Sequence, residues 1–87
     1  MIAVLIPSQL RNYTGGMGRV EARGETIDGV LGDLDQRFPG LRFRVIDEQD
    51  RVRPHMRLFV GRDAVRDIRA PITDGAELMI FGALSGG

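Results

Sequence analysis

Ile80-Phe81-Gly82-Ala83-Leu84-Ser85-Gly86-Gly87 closes the sequence: an apolar, strand-like run, one small polar residue, and a Gly-Gly end. Alternation over residues 77–84 puts Leu78, Ile80 and Leu84 on one face and Met79, Phe81 and Ala83 on the other. Glycine lacks a Cβ, so Gly86 and Gly87 adopt backbone angles closed to other residues and can pass through a narrow channel. The last group is then an unhindered carboxylate within reach of another protein's active site. The bland alternative is a flexible chain end, as most termini are. What separates the two is whether the body of the chain is a platform that presents this end.

Working outward, the other end of the chain offers a partner for the last strand. Residues 2–6 are apolar throughout, with Ile2, Val4 and Ile6 on one face, and Pro7 stops the run. Residues 10–16 are a turn-rich connection whose Gly15-Gly16 pair signals a hairpin into a second strand at 17–23. Gly16-Met17-Gly18 is no phosphate loop: no third glycine follows at the needed spacing, and there is no Gly-Lys-Ser/Thr. Residues 26–38 form the clear helix, with Ile27, Val30, Leu31, Leu34 and Phe38 along one stripe. Thr26 is its expected N-cap, Asp28 complements the dipole, and Pro39-Gly40 ends it. Gly29 and Gly32 weaken this helix and are expected to let it approach the sheet closely. Asp28, Asp33 and Asp35 are scattered around the helical cylinder, the pattern of a solvated face rather than a metal cluster.

Residues 41–46 read equally as a helical turn or a short strand, and 47–50 as a polar loop. A third strand is expected at 56–60, a brief fourth at 64–65, and Pro71-Ile72-Thr73-Asp74-Gly75 turns the chain into the last strand. His55, the sole histidine, has no Ser/Asp, Cys or second His partner pattern and reads as a surface or strand-edge residue. One helix on a mixed sheet is an α+β roll, and if the first and last strands are neighbours the helical crossover makes them parallel. The expected inward set is Ile2, Val4, Ile6, Val20, Val30, Leu31, Leu34, Leu58, Val60, Leu78 and Ile80. Leu5, Phe59, Met79 and Phe81 are left on the outer face, with no second helix to cover them, as an expected docking patch.

Composition narrows the functions. The 87 residues suit one small domain with a modest core, 43% apolar and 6% aromatic. No run is long enough to span a bilayer and there is no leader pattern, so a cytoplasmic, membrane-free protein is expected. With no cysteine, there is no disulfide, no thiolate nucleophile and no side chain to carry a persulfide. Any sulfur handled here has to sit elsewhere, and the C-terminus is the available place. Net charge is zero, which gives no global field for nucleic acid. All twelve cations are Arg. Six Arg against two Asp fall between positions 51 and 69, and five acids against one Arg between 21 and 35. A neutral solvated surface explains this simply; an Arg-lined face for an acidic partner is the other reading.

Taken in order, these residues carry a resemblance. The set is Ile6-Pro7-Ser8-Gln9-Leu10-Arg11 with Thr14-Gly15-Gly16, Thr26 opening a helix that ends at Phe38-Pro39-Gly40-Leu41, Arg53-Pro54-His55 before Leu58-Phe59-Val60, Ile72-Thr73-Asp74-Gly75, and terminal Gly86-Gly87. The chain resembles the ubiquitin-like β-grasp sulfur carriers of the MoaD/ThiS family, nearest their CysO-like branch, over almost its whole length. The resemblance implies a β-grasp roll of four to five strands with one main helix over residues 1–84, and a flexible Ser-Gly-Gly tail at 85–87. Two positions depart from the family's pattern: Gly82 stands where Pro is common and is expected to loosen the tail's root, and Gly61-Arg62 replaces an Asn-Gly-like turn.

The resemblance also implies a mechanism in which the chain is not an enzyme. A ubiquitin-activating-enzyme-like adenylyltransferase, using its own ATP and Mg²⁺, docks on the patch of Leu5, Phe59, Met79 and Phe81. It recognises Ser85 and Gly86 and adenylates Gly87. A sulfur donor such as a sulfurtransferase converts Gly87 to a thiocarboxylate for a sulfur-accepting biosynthetic enzyme. Because nothing follows Gly87, no protease is expected to be needed. Two relatives of this role stay open: the small subunit of molybdopterin synthase, and a ubiquitin-like protein modifier.

Overall fold

The computed structural model describes residues 1–82. β1 (Ile2–Leu5) leads through a 3-10 helical stretch (Ser8–Thr14) to β2 (Arg19–Ala22), then α1 (Ile27–Arg37), α2 (Leu41–Val45), β3 (Met56–Val60), β4 (Asp63–Val65) and β5 (Glu77–Gly82). The five strands form one mixed sheet in the order β2-β1-β5-β3-β4. β1 and β5 lie side by side and parallel, Val4 opposite Leu78, and every other pairing is antiparallel. This is the expected roll, with the first and last strands central.

α1 forms because its apolar stripe has a sheet to bury against, and Ile27, Val30, Leu31 and Leu34 are fully buried. Its N-terminus is capped as expected: the Gly29 amide donates to Thr26 Oγ1 at 3.0 Å, a contact worth about 1 kcal/mol. The close approach lies elsewhere than at the helical glycines. A Cβ on Gly32 would meet nothing within 4 Å, and one on Gly29 would meet only Thr26 Oγ1 at 3.3 Å and Gly24 Cα at 3.6 Å. Gly24, in the β2–α1 connection, is the tight position: a Cβ there would fall 2.5 Å from the Val30 nitrogen.

Residues 41–46 resolve as helix for all but the last. Gly40, at φ +95°, turns the chain into α2, and Leu41 and Val45 are buried. Arg42 ties α2 to α1, donating from Nε and Nη2 to Asp28 Oδ1 at 3.1 and 2.9 Å and from Nη2 to Asp50 at 3.3 Å. Partial burial pulls the Arg42 pKa down, but the hydrogen bonds to Asp28 and Asp50 outweigh it and leave a net rise.

The β1–β2 connection is not the tight glycine hairpin that Gly15-Gly16 suggested. The pair, at φ +65° and +90°, ends the 3-10 stretch instead. Arg11 Nε donates to the Ile6 carbonyl at 3.1 Å, and the buried Thr14 hydroxyl donates to the Met17 carbonyl at 2.7 Å. The Arg11 and Thr14 of the opening motif are therefore loop braces. β2 is also shorter than the 17–23 expected, and β1 ends at Leu5 rather than at Ile6.

The core holds the expected inward residues except Val60, which is half-buried, and adds Leu10, Ala22, Ile27, Leu41, Val45, Ile46, Met56, Ile68 and Ile72. Ile68 and Ile72 sit in the long β4–β5 connection, which is stitched to the helix by Asp28 N to Ile68 O at 2.8 Å and Ile27 N to Ala70 O at 3.1 Å. Thr73-Asp74-Gly75 makes the expected turn into β5. Gly75, at φ +89°, donates its amide to the Met1 carbonyl at 3.0 Å, and the N-terminal ammonium pairs with Asp74.

Candidate functional site

α1 and α2 cover one face of the sheet, and among the described residues no helix covers the other. Register places the bare-face residues in a row: Leu5 opposite Met79, Met79 opposite Phe59, Phe59 opposite Ala64. Phe81 lies one step further along β5, opposite Arg57, and its ring meets Phe59 edge-on with centroids 5.6 Å apart at 81°. The four residues read from the sequence as a docking patch are thus brought together. They are unequally exposed: Phe81 is 49% accessible, while Leu5, Met79 and Phe59 are partly buried against one another. Arg19 opposite Leu5, ion-paired to Glu77 at 3.2 Å, borders the patch on one side, and Arg57 borders it near the end of β5. A contiguous apolar patch with charged edges has the composition of a protein-binding surface. Covering a side chain the size of Phe81 completely is worth about 1.5–3 kcal/mol.

The patch leads to the root of the tail. Gly82 is the last residue of β5 and stays in the ladder, opposite Met56. Far from being an open gap, its missing Cβ position is taken by a neighbour: an ideal Cβ there would fall 1.6 Å from Gln9 Nε2. Gln9, on the 3-10 stretch, therefore lies across the residue from which the tail departs. Nothing in the sequence marked Gln9 beyond its place in the Ile6–Arg11 motif. Ala83, Leu84, Ser85, Gly86 and Gly87 lie outside the described residues, and with them the expected extension of β5 to Leu84 and the tail itself.

His55 is exposed beside Phe43, Arg44 and Arg53, and among the described residues no carboxylate, hydroxyl or second histidine lines that hollow. Among the described residues no three His, Asp or Glu side chains converge as a metal site. Arg53-Pro54-His55 instead anchors the approach to β3. Arg53 donates from Nε to the Phe43 carbonyl at 2.7 Å and from its amide to Val45 O at 2.9 Å, with its guanidinium 4.5 Å from the Phe43 ring centroid. No described helix is long and apolar enough to cross a membrane.

A bare apolar sheet face leading to a diglycine end is the layout of a ubiquitin-like carrier, and known proteins agree. The sequence model of the ThiS family matches residues 4–87, both terminal glycines included. The chain belongs to the ThiS family. Among curated relatives of this ThiS-family chain, the sulfur carrier protein CysO of Mycobacterium tuberculosis H37Rv is 32% identical over 91 residues, spanning 99% of this chain and 98% of the relative. CysO of Mycobacterium bovis matches to the same extent. Among solved structures, a chain of the BexX/CysO complex of Amycolatopsis orientalis superposes with a TM-score of 0.93 at 31% identity, covering all of both chains. Mycobacterium tuberculosis CysO superposes with a TM-score of 0.91 at 28% identity, over 97% of this chain and 100% of that one. The small archaeal modifier SAMP1 of Haloferax volcanii shares the fold, with a TM-score of 0.76 at 24% identity.

Proposed function

We propose that this chain is a sulfur carrier whose Gly87 carboxylate is activated and converted to a thiocarboxylate for a biosynthetic enzyme. The observation that carries the reading is the ThiS-family match running through the terminal Gly86-Gly87. It is supported by the near full-length likeness to the sulfur carrier CysO.

The chemistry needs activation because a free carboxylate is a poor electrophile. A Gly87 carboxylate oxygen attacks the α-phosphorus of ATP and pyrophosphate leaves, giving an acyl-adenylate. A sulfide-level donor, delivered by a sulfurtransferase, then attacks the acyl carbon and AMP departs, leaving Gly87 as a thiocarboxylate. The mixed anhydride replaces one hard step by two easier ones. ATP and Mg²⁺ belong to a ubiquitin-activating-enzyme-like adenylyltransferase; the carrier is its substrate rather than a catalyst. Without cysteine, this chain has no side-chain thiol to compete for the sulfur.

The exposed Phe81 and its neighbours Met79, Phe59 and Leu5 supply the docking face for that adenylyltransferase, and Ser85 and Gly86 the segment its channel recognises. Pairing of a carrier of this shape with another protein has a precedent in the BexX/CysO complex. We read the cycle as cytoplasmic, where ATP is at hand and thiol-based sulfur donors stay reduced.

The test is reconstitution with an activating enzyme, a sulfur source and an accepting enzyme. The full chain delivers sulfur to product, whereas a chain lacking Gly87, or one with residues added beyond it, does not. Delivery by either altered chain overturns the reading.

A further inference from the structure

Beside the sheet-face patch, and sharing Phe59 and Arg57 with it, β3 carries a surface of different chemistry. A groove of about 520 Å³ lies where β3 runs past the end of β4. Met56, Leu58, Phe59 and Val65 give it an apolar floor, and Arg51, Arg53, Arg57 and Arg66 surround it. No carboxylate lines it, and none of these four Arg has a carboxylate within ion-pair distance among the described residues. Asp28, Asp50 and Asp67 share a neighbouring hollow with Arg51 and Arg66, but Asp28 and Asp50 are ion-paired with Arg42 and Asp67 with Arg69. Asp47, whose charge is felt by Arg51 and Arg53, has its Oδ1 engaged by the Arg51 and Gln49 amides.

Two of the guanidiniums are held in place before any ligand arrives. Arg53 is stacked on Phe43 and bonded to its carbonyl, and Arg57 donates from Nη1 to the carbonyls of Pro54 and Met56 at 2.7 and 2.9 Å. Each keeps further N–H donors, since a guanidinium has five. The same contacts decide the mode of binding. The Met56 amide donates to Arg53 O at 2.9 Å and its carbonyl accepts from Arg57, so this stretch of strand edge is capped by its own chain and closed to an added strand. What remains is a side-chain site: fixed cations around an apolar floor.

We propose that this groove seats an acidic peptide segment with an aliphatic centre, carried by the adenylyltransferase that receives the tail. Charge complementarity selects the acids, and the floor selects the aliphatic residues, whereas a small inorganic anion would leave the floor uncovered. Position selects the owner: Met56, on the groove floor, is paired with Gly82, where the tail departs, so one protein holding the tail can reach both. Only this assignment of the owner rests on the sulfur-carrier reading.

The experiment uses the isotope-labelled full chain at low ionic strength, titrated by NMR with the peptide acetyl-Asp-Glu-Leu-Ile-Glu-Asp-amide. Saturable shifts of the Arg57, Val65 and Arg66 amides are expected, weakening about tenfold on raising salt to 1 M, as screened ion pairs do. Arg66→Glu, whose side chain makes no hydrogen bond or ion pair among the described residues, weakens binding about tenfold, and Arg23→Glu on the opposite sheet edge leaves it unchanged. No saturation with this peptide overturns the proposal. So does equal binding of a peptide with Gly-Gly in place of Leu-Ile, or shifts of the same amides by pyrophosphate but not by the peptide. In the reconstituted activation assay, Arg66→Glu raises the KM for the carrier about tenfold and leaves kcat unchanged. An unchanged KM overturns the assignment to a tail-receiving enzyme. Loss of activity on deleting Gly87 tests the sulfur reading separately.

Discussion

Gly24 and Gly32 make opposite predictions from the same substitution. Gly32 sits in α1 with open space where a Cβ would go, so Gly32→Ala gains helix propensity and is expected to stabilise by about 1 kcal/mol. A rise of about 4–8 °C in Tm would register it. Gly24→Ala drives a methyl into the backbone of Gly29 and Val30 and is expected to destabilise by about 1–3 kcal/mol. Chemical denaturation of both variants checks the pair. The sequence showed which helical glycines cost propensity, but not which glycine was needed for space, because that depends on where the β2–α1 connection lands. Gly82 is a related case. Its environment is Gln9, 73 residues away in sequence, so Gly82→Ala is expected to cost less stability in a Gln9→Ala background than alone. A double-mutant cycle measures that coupling, and strict additivity would show that Gln9 moves aside freely.

At the scale of elements, α1 was the most legible because its stripe and its Thr26 cap are local signals that the structure keeps. The strands were legible in position but not in length. The β1–β2 connection was misread since Arg11 and Thr14 brace it through main-chain carbonyls, which leave no periodic trace. Ile68 and Ile72 were missed from the core for a similar reason: a buried loop has no repeat to betray it. The polar loop after α2 gives a pH prediction. The Arg51 amide, ahead of the Gln49 amide, holds the Asp47 carboxyl below the usual carboxylate range. A folded-state pKa below the unfolded one means the contribution is present above the unfolded value, about 3.9, and lost as pH falls through the folded one. Asp47→Ala is therefore expected to lower stability at neutral pH and to differ less and less from the parent as pH falls below about 4. Thermal melts across that range check the sign.

For the molecule as a whole, two ends and one face are brought into register. Parallel pairing of β1 with β5 was readable because a helix intervenes between strands that both have to be buried. The same alternation that buries Leu78 and Ile80 sets Met79 and Phe81 on the bare face, so the core and the proposed docking patch are two readings of one strand. Phe81→Asp should leave the fold intact, since Phe81 is half-exposed, while raising the KM for the activating enzyme by about tenfold or more. Phe59→Asp should cost more stability, because Phe59 is packed beneath it. Loss of folding in Phe81→Asp would mean that the bare face is in fact core. The most direct measurement is intact-mass spectrometry of the chain after incubation with its activating enzyme, ATP and a sulfur source. A gain of roughly 16 Da, sulfur for one oxygen at the Gly87 carboxylate, is expected, and none in a chain lacking Gly87. An unchanged mass beside an enzyme that demonstrably adenylates the carrier, or the same gain without Gly87, would contradict the account.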